Sequence, residues 1–280
     1  MDIAQVTQAL ESADFHTLHA LAAQNRDWAG IVQEICRRHW NCLFHPYFSD
    51  PSSFRVVLRE AKGFISGSTG IRFCDVNASW LTNDVDIYVG LSGFEKMFEY
   101  LIHCGYAELE LRTDPVGVQG ALYSYSLIGI HDIRQFQLVT TTSTLKIHLI
   151  VSAGMHAILP LKFFWYTALF VVLSADRITL AYPNHTTKKY GHITLSNAAK
   201  PIDHLRLKYE LRGFIVLPND PAVETDIISR YFGDAGCSSL PLTDEARNVM
   251  EDELFMDSGR PLMLWNELVE DHVSFTVSHT

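Results

Sequence analysis

Apolar positions recur at three- and four-residue spacing through the first 45 residues. Val6, Leu10, Phe15, Leu18 and Leu21 form a broken stripe, and Trp28, Ile31, Val32, Ile35 and Cys36 form a clearer one, the pattern of amphipathic helices. His45-Pro46-Tyr47 through Asp50-Pro51-Ser52-Ser53 is rich in turn formers and predicts a linker. Phe54 to Leu58 fits either a short strand or the start of another helix, and Gly70 to Leu81 has no firm period. Val85, Ile87 and Val89 alternate and predict a strand. Ser92 with Glu95 reads as a capping box for a helix over 93–104, with Gly105 as its stop. Further strands are predicted over 108–111, 123–130, 133–140 and 144–151, with His131-Asp132 connecting two of them and Thr141-Thr142-Ser143 turning into the last. A hydrophobic helix is predicted from about Ile158 or Leu161 to Leu173, and another from His204 to Arg212. Asp220-Pro221 marks a turn.

These elements predict an α+β fold: a twisted mixed sheet flanked by helices, with additional N- and C-terminal helices. The expected organisation is an N-terminal helical extension over 1–53, a core over 54–215 and an acidic C-terminal region over 216–280. A hydrophobic fraction of 48% in 280 residues is enough for a substantial core. The net charge of −10 argues against an extended nucleic-acid surface, which needs clustered Lys and Arg. It leaves room for a nucleotide at one local site where metal ions supply positive charge. Cys36, Cys42, Cys74, Cys104 and Cys237 include no C-x-x-C pair, so reduced thiols are expected rather than a zinc site or a disulfide framework. The stretch 153–175 is long and apolar, but His156, Pro160 and Lys162 interrupt it, which predicts a buried helix and no membrane span. Met1-Asp2-Ile3-Ala4-Gln5 begins neither a basic region nor a long apolar run, so an intracellular, cytoplasmic protein is expected. The acidic residues beyond Leu242 read as solvated surface.

Ile65-Ser66-Gly67-Ser68 is a small-residue turn, followed fifteen residues later by Asn83-Asp84-Val85-Asp86. In a strand, Asp84 and Asp86 share one face about 7 Å apart along the chain, while Val85 and Ile87 point into a core. Two neighbouring carboxylates repel unless a cation, a proton or a basic side chain sits between them. A divalent metal such as Mg²⁺, shared with a substrate's phosphates, is one solution. A solvated outer face of an edge strand is the other. Backbone N–H groups and the hydroxyls of Ser66, Ser68 and Thr69 are placed to hold phosphate oxygens.

Gly67-Ser68 with Asp84-Val85-Asp86 resembles the G-S…D-x-D signature of the nucleotidyltransferase superfamily, the fold of DNA polymerase β, CCA-adding enzymes and aminoglycoside nucleotidyltransferases. More narrowly, the chain is similar to a group of fungal proteins of that fold. Asp84 to Val89, Gly105-Tyr106, the strand Lys146-Ile147-His148-Leu149-Ile150, Ala181-Tyr182-Pro183, and Lys208-Tyr209 with Arg212-Gly213-Phe214 carry that similarity. The resemblance covers roughly 54–215. It implies that Asp84 and Asp86 hold Mg²⁺, that Gly67, Ser68 and Thr69 contact a nucleoside triphosphate, and that a hydroxyl-bearing acceptor attacks the α-phosphorus. Family members place a third carboxylate on a later strand, where this chain has His148, with Lys146 on the same face. An imidazole can bind metal but adds no negative charge. Lys146 favours a phosphate directly or replaces the metal by pairing with Asp84 or Asp86. The implied functions are therefore nucleotidyl transfer, or a degenerate module that binds a nucleotide or a protein partner without chemistry. Lys188 in the basic pair Lys188-Lys189 is a further candidate for the triphosphate, and Thr186, Thr187 and Tyr190 are candidates for a ribose or base. Arg72 can reach a phosphate or pair with Asp75.

Overall fold

Short β-branched and aromatic runs separated by turns build one mixed sheet in the computed structural model, which describes residues 3–82, 84–109, 129–194, 202–218, 231–243, 256–257 and 260–261. Its strands are β1 (Phe64–Ser66), β2 (Asp84–Val89), β3 (Ala107–Leu109), β4 (Ile130–Val139), β5 (Thr144–Ser152), β6 (Val171–Ser174) and β7 (Arg177–Leu180). The strands β8 (Tyr190–His192) and β9 (Ile215–Leu217) pair in parallel outside this sheet, and β10 (Ser238–Pro241) returns to it. The order across the sheet is β10-β7-β6-β1-β2-β5-β4-β3. The β2–β5 pairing is parallel, and the other neighbours within the sheet are antiparallel. The expected α+β architecture is the one observed.

Helices cover the sheet. They are α1 (Ile3–Leu10), α2 (Phe15–Ala22), α3 (Arg26–Phe44), α4 (Pro51–Glu60), α5 (Gly67–Cys74), α6 (Phe94–His103), the short α7 (Pro183–Thr187) and α8 (Asp203–Glu210). The apolar stripe of α3 joins the core through Val32, Ile35, Cys36, Trp40 and Phe44. Val85, Ile87 and Val89 of β2 meet this cluster on one face of the sheet, beside Ile147, Leu149 and Val151 of β5. Phe64, Tyr88, Ile150 and Val172 point to the opposite face and form a second cluster with Ile158, Leu161 and Phe170. Asp84, Asp86 and His148 share that second face by the two-residue strand period.

Four expectations need correction. The hydrophobic helix ending at Leu173 is instead a 3-10 turn (Leu159–Phe163), a second 3-10 turn (Thr167–Leu169) and β6. A strand buried on both faces reads as an unbroken apolar run, which periodicity cannot distinguish from a buried helix. No helix among the described residues is long and apolar enough to cross a membrane. Secondly, the linker gives way to α4 at Pro51: Asp50 accepts the Ser52 N–H at 2.9 Å as N-cap, and proline's fixed φ suits the first helical position. Thirdly, the capping box at Ser92 does not form. Leu91–Gly93 is a 3-10 turn, and Gly93 leads α6 without a side-chain cap. A Cβ at Gly93 would lie 2.0 Å from the Ala61 carbonyl, so backbone packing sets the helix entry. Lastly, His131-Asp132 lies inside β4, where the register slips between Ile130 and Asp132. Gly105, with φ +87°, ends α6 as predicted. Residues 110–128 lie outside the described residues, and with them most of the strand expected over 123–130; the Asp220-Pro221 turn does too.

Candidate functional site

The sheet register assembles the polar cluster. Antiparallel pairing sets Ser66 of β1 against Asp86, while parallel pairing sets Asp84 against Lys146 and Asp86 against His148. Their side chains meet: His148 Nδ1 lies 2.9 Å from Asp86 Oδ1 and 3.9 Å from Asp84 Oδ2. One ligand atom from each of Asp84, Asp86 and His148 falls within 4.8 Å of the others. About a quarter of each side chain remains open to solvent (27%, 26% and 23%), so the cluster is neither sealed nor fully hydrated.

Burial raises the Asp84 carboxyl above its ordinary range and the Asp86 charge adds to the effect; Lys208, His148 and Arg212 pull against it without cancelling it. For His148, burial works to lower the imidazole, but the Asp86 hydrogen bond and both carboxylate charges outweigh it and leave the ring more basic than usual. The cluster is short of positive charge, which is the electrostatic condition of a cation site.

Gly67 follows β1 with φ +64°, a left-handed conformation that glycine adopts at little cost. A Cβ at this position would sit 2.9 Å from Asp86 Oδ2, so the glycine also allows the turn to approach the carboxylate. Ser66 occupies the N-cap position of α5, yet its hydroxyl donates to the Val171 carbonyl at 2.6 Å and makes no cap bond. The first turn of α5 therefore carries N–H groups without a side-chain cap beside the carboxylates, at the positive end of the helix dipole. The helix itself was not predicted, because Gly67-Ser68-Thr69-Gly70 has poor helix propensity.

The remaining hydroxyls are already bonded. Thr69 donates to the Asp84 carbonyl at 3.0 Å and fixes the start of β2 to α5. Ser68 Oγ accepts from Arg212 Nη1 at 2.8 Å and lies 3.2 Å from the Tyr209 hydroxyl. The Arg212 guanidinium stacks 4.3 Å from the Trp80 ring centre and 5.3 Å from that of Tyr209. Lys208, one turn before Arg212, also acts on Asp84. In the sequence, Lys208, Tyr209 and Arg212 stand out only as part of the family similarity, with no place at the site. Their separation from Ser68 by about 140 residues hides the contact, and only the three- to four-residue spacing of Lys208 and Arg212 marks one helical face.

Lys146 shares the face of His148 but makes no ion pair with Asp84 or Asp86 among the described residues, so it does not fill the cation position. Lys188 is exposed at the end of the short helix Pro183–Thr187, and no ion pair joins it to the cluster among the described residues. Lys189 beside it pairs with Asp75 at 2.7 Å, while Arg72 donates to the Asp75 carbonyl at 2.6 Å. Thr186 and Thr187 bond backbone carbonyls of Ala168 and Pro183. The five cysteines are free thiols.

No protein-family model, curated protein or solved structure matches this chain.

Proposed function

We propose that this protein binds a Mg²⁺–nucleoside triphosphate at Asp84 and Asp86 and transfers its nucleotidyl group to a hydroxyl-bearing acceptor. One observation carries the reading: the left-handed glycine turn at Gly67 sits against the Asp86 carboxylate, bringing the uncapped start of α5 beside the carboxylate pair. The carboxylate oxygens of Asp84 and Asp86 fit a hard divalent cation, while the His148 imidazole, within 4.8 Å and hydrogen-bonded to Asp86, is a neighbour of that site rather than one of its oxygen donors. Bound there, the cation neutralises phosphate charge and makes the attacking hydroxyl more acidic.

The chain's own residues supply the rest. The uncapped N–H groups of α5 face the phosphates, and Arg212, held between Trp80 and Tyr209, brings a fixed positive charge to Ser68. Lys208 adds a second cation, and Lys146 stands at the rim. The acceptor oxygen bonds to the α-phosphorus, the bond between that phosphorus and the bridging oxygen breaks, and pyrophosphate leaves with the electron pair. The acceptor proton passes to the carboxylate–imidazole cluster.

The His148–Asp86 hydrogen bond favours a second reading, in which an imidazolium satisfies the carboxylates and the fold binds a nucleotide or a protein partner without chemistry. Calorimetric titration of ATP, GTP, CTP and UTP with and without Mg²⁺ tests the binding site. The proposal expects metal-dependent heat that Asp84→Asn and Asp86→Asn both abolish. Heat unchanged in both variants refutes it, and Mg²⁺-independent binding supports the second reading.

A further inference from the structure

Tyr88 carries a hydroxyl that no other group in the described fold uses. The residue is 6% exposed, and its oxygen has no hydrogen-bond partner among the described residues. Leaving a buried hydroxyl unpaired is costly, and native folds do so rarely. Strand β2 brings Asp84, Asp86 and Tyr88 to one face at two-residue steps. Phe64 of β1 pairs with Tyr88 across the sheet and stacks on its ring, 5.0 Å between centres and 5° between planes. Phe164 leans on the same ring at 6.0 Å. Two aromatic neighbours thus fix where the hydroxyl stands. Burial, then Asp86, Tyr209 and Asp84, push the phenol well above its ordinary range, so the hydroxyl is within electrostatic reach of all three. The Tyr209 hydroxyl lies 3.2 Å from Ser68 Oγ, in the first turn of α5. The free donor therefore borders both the carboxylates and the corner where α5 begins.

We propose that Tyr88 donates a hydrogen bond to a sugar hydroxyl of the nucleotide held at Asp84 and Asp86, an inference that rests on the function proposed above. Charge disfavours a phosphate as its partner. The ring lies in the apolar cluster with Phe64, Ile150, Val172 and Phe170, and the charges that act on it are the Asp86 and Asp84 carboxylates. The sugar fits on three counts: it is uncharged, its hydroxyls accept from a phenol, and it adjoins the α-phosphate. One two-residue strand step, about 7 Å, separates Tyr88 from Asp86, a distance that a sugar spans. A nucleotide without sugar hydroxyls leaves the phenol unpaired, so Tyr88 selects against it.

Calorimetric titration of the full chain in Mg²⁺ compares three kinds of probe: inorganic tripolyphosphate, the four ribonucleoside triphosphates and their 2′,3′-dideoxy counterparts. The wild type should bind the ribose form about tenfold more tightly than the dideoxy form, the worth of one hydrogen bond. Tyr88→Phe keeps the ring and its stacking, and should erase that preference by weakening the ribose form alone. Its affinity for tripolyphosphate should match that of the wild type. Without ligand, its urea midpoint should equal or exceed the wild-type value, since no bond within the fold is lost. Equal wild-type affinity for the ribose and dideoxy forms, or a preference that survives Tyr88→Phe, overturns the assignment. So does a lower urea midpoint, which gives the hydroxyl a structural partner, or weaker tripolyphosphate binding, which puts it on the phosphates. Absence of all Mg²⁺-dependent binding in the wild type, tripolyphosphate included, refutes the nucleotide site itself, a failure distinct from that of Tyr88.

Discussion

Gly67→Ala perturbs the junction between the turn and the carboxylates in two ways. Alanine at φ +64° loses about 1–2 kcal/mol relative to glycine. Its Cβ would also meet Asp86 Oδ2 at 2.9 Å, closer than carbon and oxygen normally approach. Because that oxygen ends a short side chain, the carboxylate can rotate away, but rotation breaks its 2.9 Å bond to His148. A charge-assisted hydrogen bond contributes about 1.5–3 kcal/mol, and partial solvent access puts this one at the lower end. The substitution should therefore destabilise the fold by about 3 kcal/mol in all. In an Asp86→Ala background the clash is absent, and the same change should cost only the backbone share of about 1–2 kcal/mol. Urea unfolding followed by tryptophan fluorescence, run as a double-mutant cycle, measures the difference. A coupling of about 1.5 kcal/mol supports the contact, whereas additivity within about 0.5 kcal/mol refutes it.

Two further perturbations read the electrostatics. His148 should titrate above its ordinary value of 6.5 in the metal-free protein, followed by imidazole proton NMR. Its contribution to stability is then complete below 6.5 and lost as pH rises through the folded value. Asp86→Asn removes the acceptor charge and should bring the midpoint down, since burial then counts for more; an unmoved midpoint contradicts the geometry. At the far side of the sheet, burial works to raise the Asp176 carboxyl, but the Arg59 pair, the Thr243 hydroxyl and Arg55 outweigh it and hold the group below 3.8. That stabilisation is present above 3.8 and fades as pH falls through the lower folded value. The urea midpoint of Arg59→Met should lie below that of the wild type at pH 6 and converge with it under acid, while a gap that persists at pH 2 contradicts the pairing.

Much of the site's frame was legible because its signals are local. The alternation around Asp84 and Asp86 gives their shared face, and Ser66-Gly67-Ser68 shows as a small-residue turn, but the helix that follows it does not, because Gly67-Ser68-Thr69-Gly70 has poor helix propensity. The Leu145–Ile150 pattern gives a strand, and only the family resemblance, which sets a third carboxylate on that strand, marks His148 as the opposing position. Arg212 and Trp80 were not, since their stacking depends on tertiary closure over Ser68. Among the fold elements, Val171–Ser174 was misread as helix because both of its faces are buried. The return of Ser238–Pro241 to the sheet edge beside β7 leaves no mark in a four-residue segment of mixed polarity.

Manganese binding followed by electron paramagnetic resonance tests the carboxylate pair most directly, because Mn²⁺ accepts the same oxygen ligands as Mg²⁺ and its free signal disappears on binding. Titrating Mn²⁺ with a nucleoside triphosphate should reveal a protein-bound ion that is lost in both Asp84→Asn and Asp86→Asn. The same bound signal persisting in both variants would contradict a metal-bridged triphosphate at this site.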